Sequence, residues 1–578
     1  MNNVQRRRFA VRLAVGAGIA TSLSAVYGFH ALHALMARPG EDALRLIPGD
    51  ALIVGSLDLS PSASQTIAFK RIDDALARNE YGGLVEKSFI DILAGQADGV
   101  DQLRPLILRN GAMAYLPGPK GTGDDGKGLA ILALKDGPAA QAILQKVGVP
   151  DYYKGLKFYK LKNARSVMMV SGDDLVVGET GFSLYQVKLV LDGTKAPVTA
   201  NPNFMASRSH VADDANLMVF MSPKMVAETG KKNLDGMTND WMAAGMAIRD
   251  GGVGLSFSGV VDTKKEPEIE AIAKAAPIRE DLFKMLPSGA YGAMIISQPS
   301  VSMEAAMSTA DRDESMRKGL ASIEDGMQKD LGMDLKHDLL PAFKGDAIAA
   351  VYPVSGDSPA GADVLLVLDD SNGADPSNAV DRFQSWVKRQ MEKEGNQQGP
   401  LWTDSTKDGA HFFKVSDKIE TDMRKSMGNG MDKSINQEAL VNHKTIAWAV
   451  VGKAVLASTS QELLDRAVQS YGSHSGGLDT DPKYASAQKE LLDGSQSLIM
   501  FSVSRIASGV KNTVDGSHMD ESNRNMFTGI IDAFSTLDQP LSIRGKAQPD
   551  GRISGGAFIP MDYDKLIDIA SKAMKHDK

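Results

Sequence analysis

The sequence contains no cysteine. Structural disulfides, cysteine-ligated zinc, iron–sulfur clusters and thiol nucleophiles are therefore excluded, as is a lipoprotein anchor, which needs a cysteine to carry its acyl chain. Histidine is scarce, with 9 residues in 578. None of His210, His337, His411, His443, His474, His518 and His576 pairs with another at H-x-x-x-H or H-E-x-x-H spacing, so no local zinc helix is encoded. An excess of positive charge is also missing: 64 Lys and Arg face 72 Asp and Glu, for a net charge of -8. A general nucleic-acid binder needs a basic surface to displace counterions from phosphate, so no nucleic-acid partner is expected. After Pro39 no stretch offers 18 uncharged apolar residues, which leaves the N-terminus as the one place for a membrane span.

There, Arg6, Arg7, Arg8 and Arg12 precede a run from Leu13 to Ala37 that holds no Lys, Arg, Asp or Glu. A positive segment before an apolar run keeps the start inside the cell and exports the downstream chain. Residues 9–37 are expected to meet the membrane. One reading is an uncleaved single-pass anchor in the inner (cytoplasmic) membrane, with the bulk of the chain in the periplasm or outside. The alternative is a signal peptide cut near Ser22-Leu23-Ser24, leaving a soluble periplasmic protein, and burial as an ordinary helix is the third. Arg6-Arg7-Arg8-Phe9 also fits the core of a twin-arginine signal, against the simpler reading of a positive leader.

Beyond Pro39 the chain reads twice. Leu46-Ile47-Pro48-Gly49-Asp50-Ala51 is matched by Met285-Leu286-Pro287-Ser288-Gly289-Ala290, each opening an apolar strand. Gly111 to Pro117 and Gly345 to Pro353 each give an apolar strand ending at proline. A glycine-rich turn and a returning apolar strand come next, the pattern of a hairpin with a longer loop. Val170, Gly172, Leu175 and Val176 fall opposite Val450, Gly452, Val455 and Leu456, and Asn201-Pro202-Asn203-Phe204 falls opposite Asp481-Pro482-Lys483-Tyr484. Ile272-Ala273 falls opposite Ile569-Ala570, so both copies are expected to close with a strand and a helix. The expected class is α+β: two tandem copies of a mostly antiparallel sheet covered by helices, after one N-terminal membrane-targeting helix. The expected boundaries are 1–40 for the signal anchor or signal peptide, 41–276 for the first module, 277–284 for a linker, and 285–578 for the second. Each module is expected to hold six to eight strands, and the second to carry an inserted loop at 420–438.

Pro48-x-x-Ala51-Leu52, Tyr153-Lys154-Gly155, Gly172-Asp173-x-Leu175-Val176 and Asn201-Pro202-x-Phe204 together resemble a bacterial envelope-protein family catalogued as a domain of unknown function. The resemblance runs from Leu46 to Ala276 and recurs more loosely from Met285. It implies export and a signal or anchor segment, and it brings no catalytic residue with it.

Several motifs imitate chemistry. Gly121 to Gly128 approaches a phosphate-binding loop, but Gly128 replaces the hydroxyl residue, Asp124 and Asp125 would repel phosphate, and a strand is expected where the helix should start. Gly356-Asp357-Ser358-Pro359-Ala360-Gly361 is one residue too long for a nucleophile elbow, and Gly254 to Gly259 reads as an alternating strand. Ser508-Gly509-Val510-Lys511 has S-x-x-K spacing without the accompanying K-T-G. Asp369 to Asp375 lacks the closing glutamate of a calcium loop and is expected to lead into a helix. No catalytic residue, cofactor or metal is therefore assigned. The one candidate contact surface is the glycine-broken 420–438 loop with Met423, Arg424, Lys425, Met427 and Met431, whose methionines could alternatively serve as thioether ligands for Cu(I). The expected function is a non-catalytic, exported, membrane-anchored envelope protein that offers a binding or scaffolding surface to another protein or a cell-wall polymer. The alternative is a periplasmic glycan hydrolase using dispersed carboxylates.

Overall fold

The structure is a computed structural model. It describes residues 39–576 apart from 59–64, 80–99, 119–125, 212–214, 227–238, 264–266, 280, 311–313, 331, 355–361, 394–401, 408, 416–446, 474, 486–493, 516–527 and 529–530. The chain is α+β and divides into two compact units, Met1–Asp262 together with Met561–Lys578, and Thr263–Pro560. Among the described residues no helix is long and apolar enough to cross a membrane, and the Leu13 to Ala37 run lies outside them.

The first unit opens with α1 (Pro39–Arg45), β1 (Ile53–Asp58) and α2 (Thr66–Arg78). It continues with β2 (Ile107–Leu116), β3 (Lys127–Leu134), α3 (Gly137–Val147), β4 (Gly148–Tyr153), β5 (Leu156–Leu161), β6 (Val167–Ser171) and β7 (Asp174–Gly178). Helices α4 (Gly181–Leu191) and α5 (Pro202–Arg208) precede β8 (Leu217–Met221), β9 (Asn239–Arg249) and β10 (Gly252–Val261). Every pairing between these strands is antiparallel, in the order β4-β5-β6-β7-β3-β2-β1-β8-β9-β10. Direct hairpins explain this, since a parallel neighbour would need a crossover helix. One face of the sheet, with Val54, Ala112, Ile131, Val176 and Phe220, packs on Leu44, Leu184, Val187 and Phe204 of α1, α4 and α5. On the other face α3 covers one end and α2 the other, the latter through Phe69, Ile72 and Leu76 against Met246, Ile248 and Val253.

The second unit begins with α6 (Pro267–Ile272), α7 (Leu282–Met285), β11 (Gly292–Ile296), α8 (Pro299–Ala310) and α9 (Glu314–Asp330). Then come β12 (Ala347–Pro353), β13 (Ala362–Leu368), α10 (Pro376–Lys393), β14 (Trp402–Lys407), β15 (Ala410–Val415), β16 (Ala447–Val451) and β17 (Ala454–Ser458). The unit continues with α11 (Gln461–Ser473), α12 (Pro482–Ala485), β18 (Ser497–Phe501), α13 (Val503–Asp515), β19 (Leu541–Ala547) and β20 (Arg552–Pro560). Its order is β14-β15-β16-β17-β13-β12-β11-β18-β19-β20, again antiparallel throughout and the same path strand for strand. Local devices match as well. Gly172 and Gly452 make the β6–β7 and β16–β17 turns at φ 60° and 62°, a left-handed conformation that costs glycine nothing.

One expectation is corrected here. Each unit holds ten described strands, not six to eight. A helix follows the last strand in each case: α6, which follows β10, packs on α8 in the second unit, and α14 (Tyr563–His576), which follows β20, packs on α2 in the first. An amphipathic stripe fixes that a helix must bury one face, and leaves open which surface receives it.

Candidate functional site: a basic, aromatic hairpin

The phosphate-loop imitation runs straight into β3 at Lys127, and no helix starts there to hold an anion. Gly254 to Gly259 lies inside β10, with Ser256 and Ser258 in mid-strand. Ser508 sits within α13 and donates its hydroxyl to the Ser504 carbonyl, while Lys511 is paired with Asp532 at 2.6 Å. The Asp369 to Asp375 stretch leads into α10 as expected, and its carboxylates are engaged: Asp369 by Arg279 and Tyr471, Asp375 by Lys453. His337 accompanies Asp334, and His411 accompanies Thr406. Among the described residues no group of three or more His, Asp or Glu stands where it could hold a metal. Met423, Arg424, Lys425, Met427 and Met431 lie outside the described residues.

A shallow cavity of about 10 Å³, room for a single water, opens on the first unit's sheet face, lined by Gly55, Leu57, Gly111, Ala112, Met113, Ala130 and Leu132. None of these side chains can donate or accept a proton, so the cavity suits apolar contact and no acid–base chemistry. It belongs to a row Met113–Gly55–Val219–Ala244–Phe257 running across four strand pairings, with Met113 and Phe257 both exposed. The second unit has a comparable row, Leu366–Ala349–Met294–Ile499–Ile543, with Leu366, Met294 and Ile543 exposed.

The feature that concentrates charge is the β4–β5 hairpin together with the turn that follows it. Residues 148–165 carry Lys154, Lys157, Lys160, Lys162 and Arg165 against the single acid Asp151, a net of +4 in a chain whose total is -8. All five cations are exposed, and among the described residues none is within salt-bridge distance of a carboxylate. The turn itself is Lys154-Gly155, with φ of 49° and 78°. A two-residue hairpin turn with both φ positive favours Asn-Gly or Asp-Gly, and a long side chain at the first position is unusual. In the second unit Gly409 lies at φ 79° between β14 and β15, and the sequence from 402 to 415 holds Asp404 and Asp408 beside Lys407 and Lys414. A lysine in the left-handed region is an outlier that directs attention to its side chain.

That side chain is fixed by aromatic rings. Lys154 Nζ lies 5.7 Å from the centroid of Tyr153 and 5.2 Å from that of Tyr185 on α4, and the two rings meet edge to face at 5.7 Å. Lys157 Nζ stands 5.4 Å from the ring of Tyr159, which α3 and the sheet bury. A ring face beneath an ammonium holds it in place and leaves its outward hydrogens free to donate. Tyr152 projects beside them at 63% exposure, on the strand face it shares with Lys157. Strand β4 pairs only with β5, and Pro150 removes one donor from its open edge, a common device against strand addition. The hairpin thus offers side chains and blunts its backbone. The sequence reading treated Tyr153-Lys154-Gly155 as a turn; the local charge count was the available signal for more.

The family described as "Protein of unknown function (DUF3352)" matches residues 9–398, more than half of the sequence, and the chain belongs to it. No curated protein matches the chain. Among solved structures, crystal form IV of TP0453 is similar over 38% of this chain and 80% of that one, at 8% identity and a TM-score of 0.24. Crystal form I of TP0453 is similar over 41% and 87%, at 9% identity and a TM-score of 0.23. A likeness of this size carries no argument about fold or function.

Proposed function

We propose that this member of the family is a non-catalytic, exported envelope protein whose β4–β5 hairpin binds an anionic cell-wall polymer. The observation that carries the reading is the set of five exposed cations, three on the hairpin and two in the turn that follows it, with Lys154 and Lys157 seated on tyrosine rings, in an otherwise acidic chain. The exposed ring of Tyr152 suits a sugar face, and the ammonium groups suit carboxylate or phosphate substituents. A protein partner with an acidic surface is the competing occupant. The hydrolase alternative gains no specific support, because its strongest carboxylate pair, Asp346 and Asp369, is buried and shares Arg279.

Two finer features complete the proposal. We read the two units as tandem copies, supported by the identical ten-strand path and by the offset of 280 that relates Gly172 to Gly452 and Asn201 to Asp481. We also read residues 9–37 as the membrane anchor, supported by Arg6 to Arg12 ahead of an uncharged run. Polymer binding is tested by sedimenting the purified chain with isolated cell-wall sacculi. Lys154→Glu/Lys157→Glu should lower the apparent affinity at least about tenfold, and rising salt should weaken the parent chain in the same direction. Undiminished sedimentation of that variant would remove the hairpin from the function. Loss of sedimentation by both chains, with retention on an acidic protein, would transfer the hairpin to the protein partner.

A further inference from the structure

Helix α14 completes the first unit, yet it is delivered by the last strand of the second. Only Met561 and Asp562 separate it from β20. Its seat is specific. Tyr563 and Ile567 are buried with Phe69, Ile72 and Leu76 of α2 and with Ile248 and Val253 of the β9–β10 hairpin. The Tyr563 hydroxyl donates to the Gly252 carbonyl, with the Arg249 carbonyl next to it at 3.2 Å, and the Met561 amide donates to the Gly251 carbonyl. At the rim Arg78 pairs with Asp564 at 2.7 Å, and the Asn79 amide donates to Asp568 at 2.7 Å.

The arrangement has a reciprocal. Helix α6 follows β10 of the first unit and packs on α8 of the second. The chain beyond α6 is fastened there too: Gln496 Nε2 donates to the Ala275 carbonyl at 2.7 Å, and the Ala276 and Ile278 amides donate to Gln298 and to the Ser495 carbonyl. In each unit, then, the helix lying on the first long helix comes from the strand that ends the other copy. On the tandem-copy reading, this is an exchange of an identical element between two copies held in one chain. Exchange of an identical element between copies is a low-cost route to a dimer.

None of the contacts that hold α14 distinguishes this chain's helix from that of another copy. We propose that the seat formed by α2 and the β9–β10 hairpin is a docking site for the α14 helix of a second copy of this chain, so that the protein pairs by helix exchange. The short tether keeps the helix near its own seat at an effective concentration of order millimolar. The single chain therefore prevails in dilute solution, and exchange grows as the protein concentration approaches that value.

The absence of cysteine makes the test clean. Full-length Asn79→Cys and full-length Asp568→Cys are mixed in equal amounts, unfolded, refolded together and treated with a short bismaleimide. A crosslinked dimer containing one of each chain is expected, its share rising with concentration and falling toward zero at about a thousandth of the tether's effective concentration. Adding Ile567→Asp to the Asp568→Cys chain should abolish it. The double variant Asn79→Cys/Asp568→Cys in one chain should crosslink internally in dilute solution, which establishes that the helix reaches its seat and that the reagent spans the gap. Internal crosslinking with no mixed dimer at any concentration would overturn the proposal, and so would a mixed dimer indifferent to Ile567→Asp. The hairpin substitutions should leave all these results unchanged, so polymer binding and helix exchange stand or fall separately.

Discussion

Replacing Arg279 with methionine should destabilise the second unit by about 3 kcal/mol at neutral pH, read as a shift of the urea midpoint. Arg279 Nε lies 3.3 Å from Asp346 and Nη2 lies 2.7 Å from Asp369, and both carboxylates are buried. Removing one partner of a buried ion pair costs about 3–5 kcal/mol, because the remaining charge has neither water nor counterion. The lower end applies because Arg279 is itself 35% exposed, so solvent already screens part of its attraction. Asp369 keeps the Tyr471 hydroxyl at 2.6 Å, so Asp346 is the more strongly stranded of the two.

The pH dependence fixes the cause. Burial pushes the Asp346 carboxyl above its ordinary value, and Arg279 draws it back only in part. A carboxyl whose folded pKa lies above its unfolded one favours the folded state when protonated, and that advantage is lost as pH rises through the folded pKa. Without Arg279 the folded pKa rises further. The variant's deficit should therefore shrink as pH falls from 7 toward the ordinary carboxylate range. Adding Asp346→Asn and Asp369→Asn to Arg279→Met should restore most of the stability, since no buried charge is then left unpaired. A deficit that ignores pH and survives the triple substitution would mean that lost packing, not stranded charge, is responsible.

Arg279 also shows where local sequence reading stops. It lies in the stretch expected to be a linker, and its partners stand 67 and 90 residues further along the chain. No periodicity records such a contact. By contrast, the β2–β3 and β12–β13 hairpins were legible, because two apolar runs flank a glycine-rich turn and each strand has a face to bury. The β4–β5 hairpin was not. Val149, Pro150, Asp151 and Tyr152 are all exposed at the sheet's edge, so the apolar alternation that marks a half-buried strand never forms. The closing helices fell between these cases: their amphipathic stripes announced helices, while the choice of seat depended on surfaces built from distant strands. The strand order common to the two units left a trace in the sequence for a related reason. Gly172 and Gly452, or Pro48 and Pro287, answer backbone demands that recur wherever the same path recurs.

Asp481→Asn should cost the second unit about 2–3 kcal/mol, although it installs the residue that occupies the matching place in the first. Asn201 works there as a neutral cap. Its side-chain oxygen accepts from the Asn203 amide at 3.0 Å, and its Nδ2 donates to the Gly49 carbonyl at 2.8 Å. At Asp481 the surroundings are inverted. Gly289 presents an amide at 2.9 Å where Gly49 presents a carbonyl, and Arg505 adds a charged donor at 2.8 Å. An asparagine there must turn its NH2 toward a donor or surrender its oxygen contact to one of them, leaving a buried donor unpaired. Burial alone would push the Asp481 carboxyl up, but Arg505 and the amides of Gly289 and Lys483 outweigh it and hold the carboxyl below its ordinary value. A carboxyl with a depressed folded pKa contributes stability that is present above its unfolded value and lost as pH falls through the folded one. The gap between parent and variant should therefore stay constant from pH 7 to about 5 and close only below about 4. Both deficits shrink as pH falls, but that of Arg279→Met starts to shrink at higher pH. Equal pH profiles for the two variants would sink the assignment of one raised and one lowered carboxyl within the same unit.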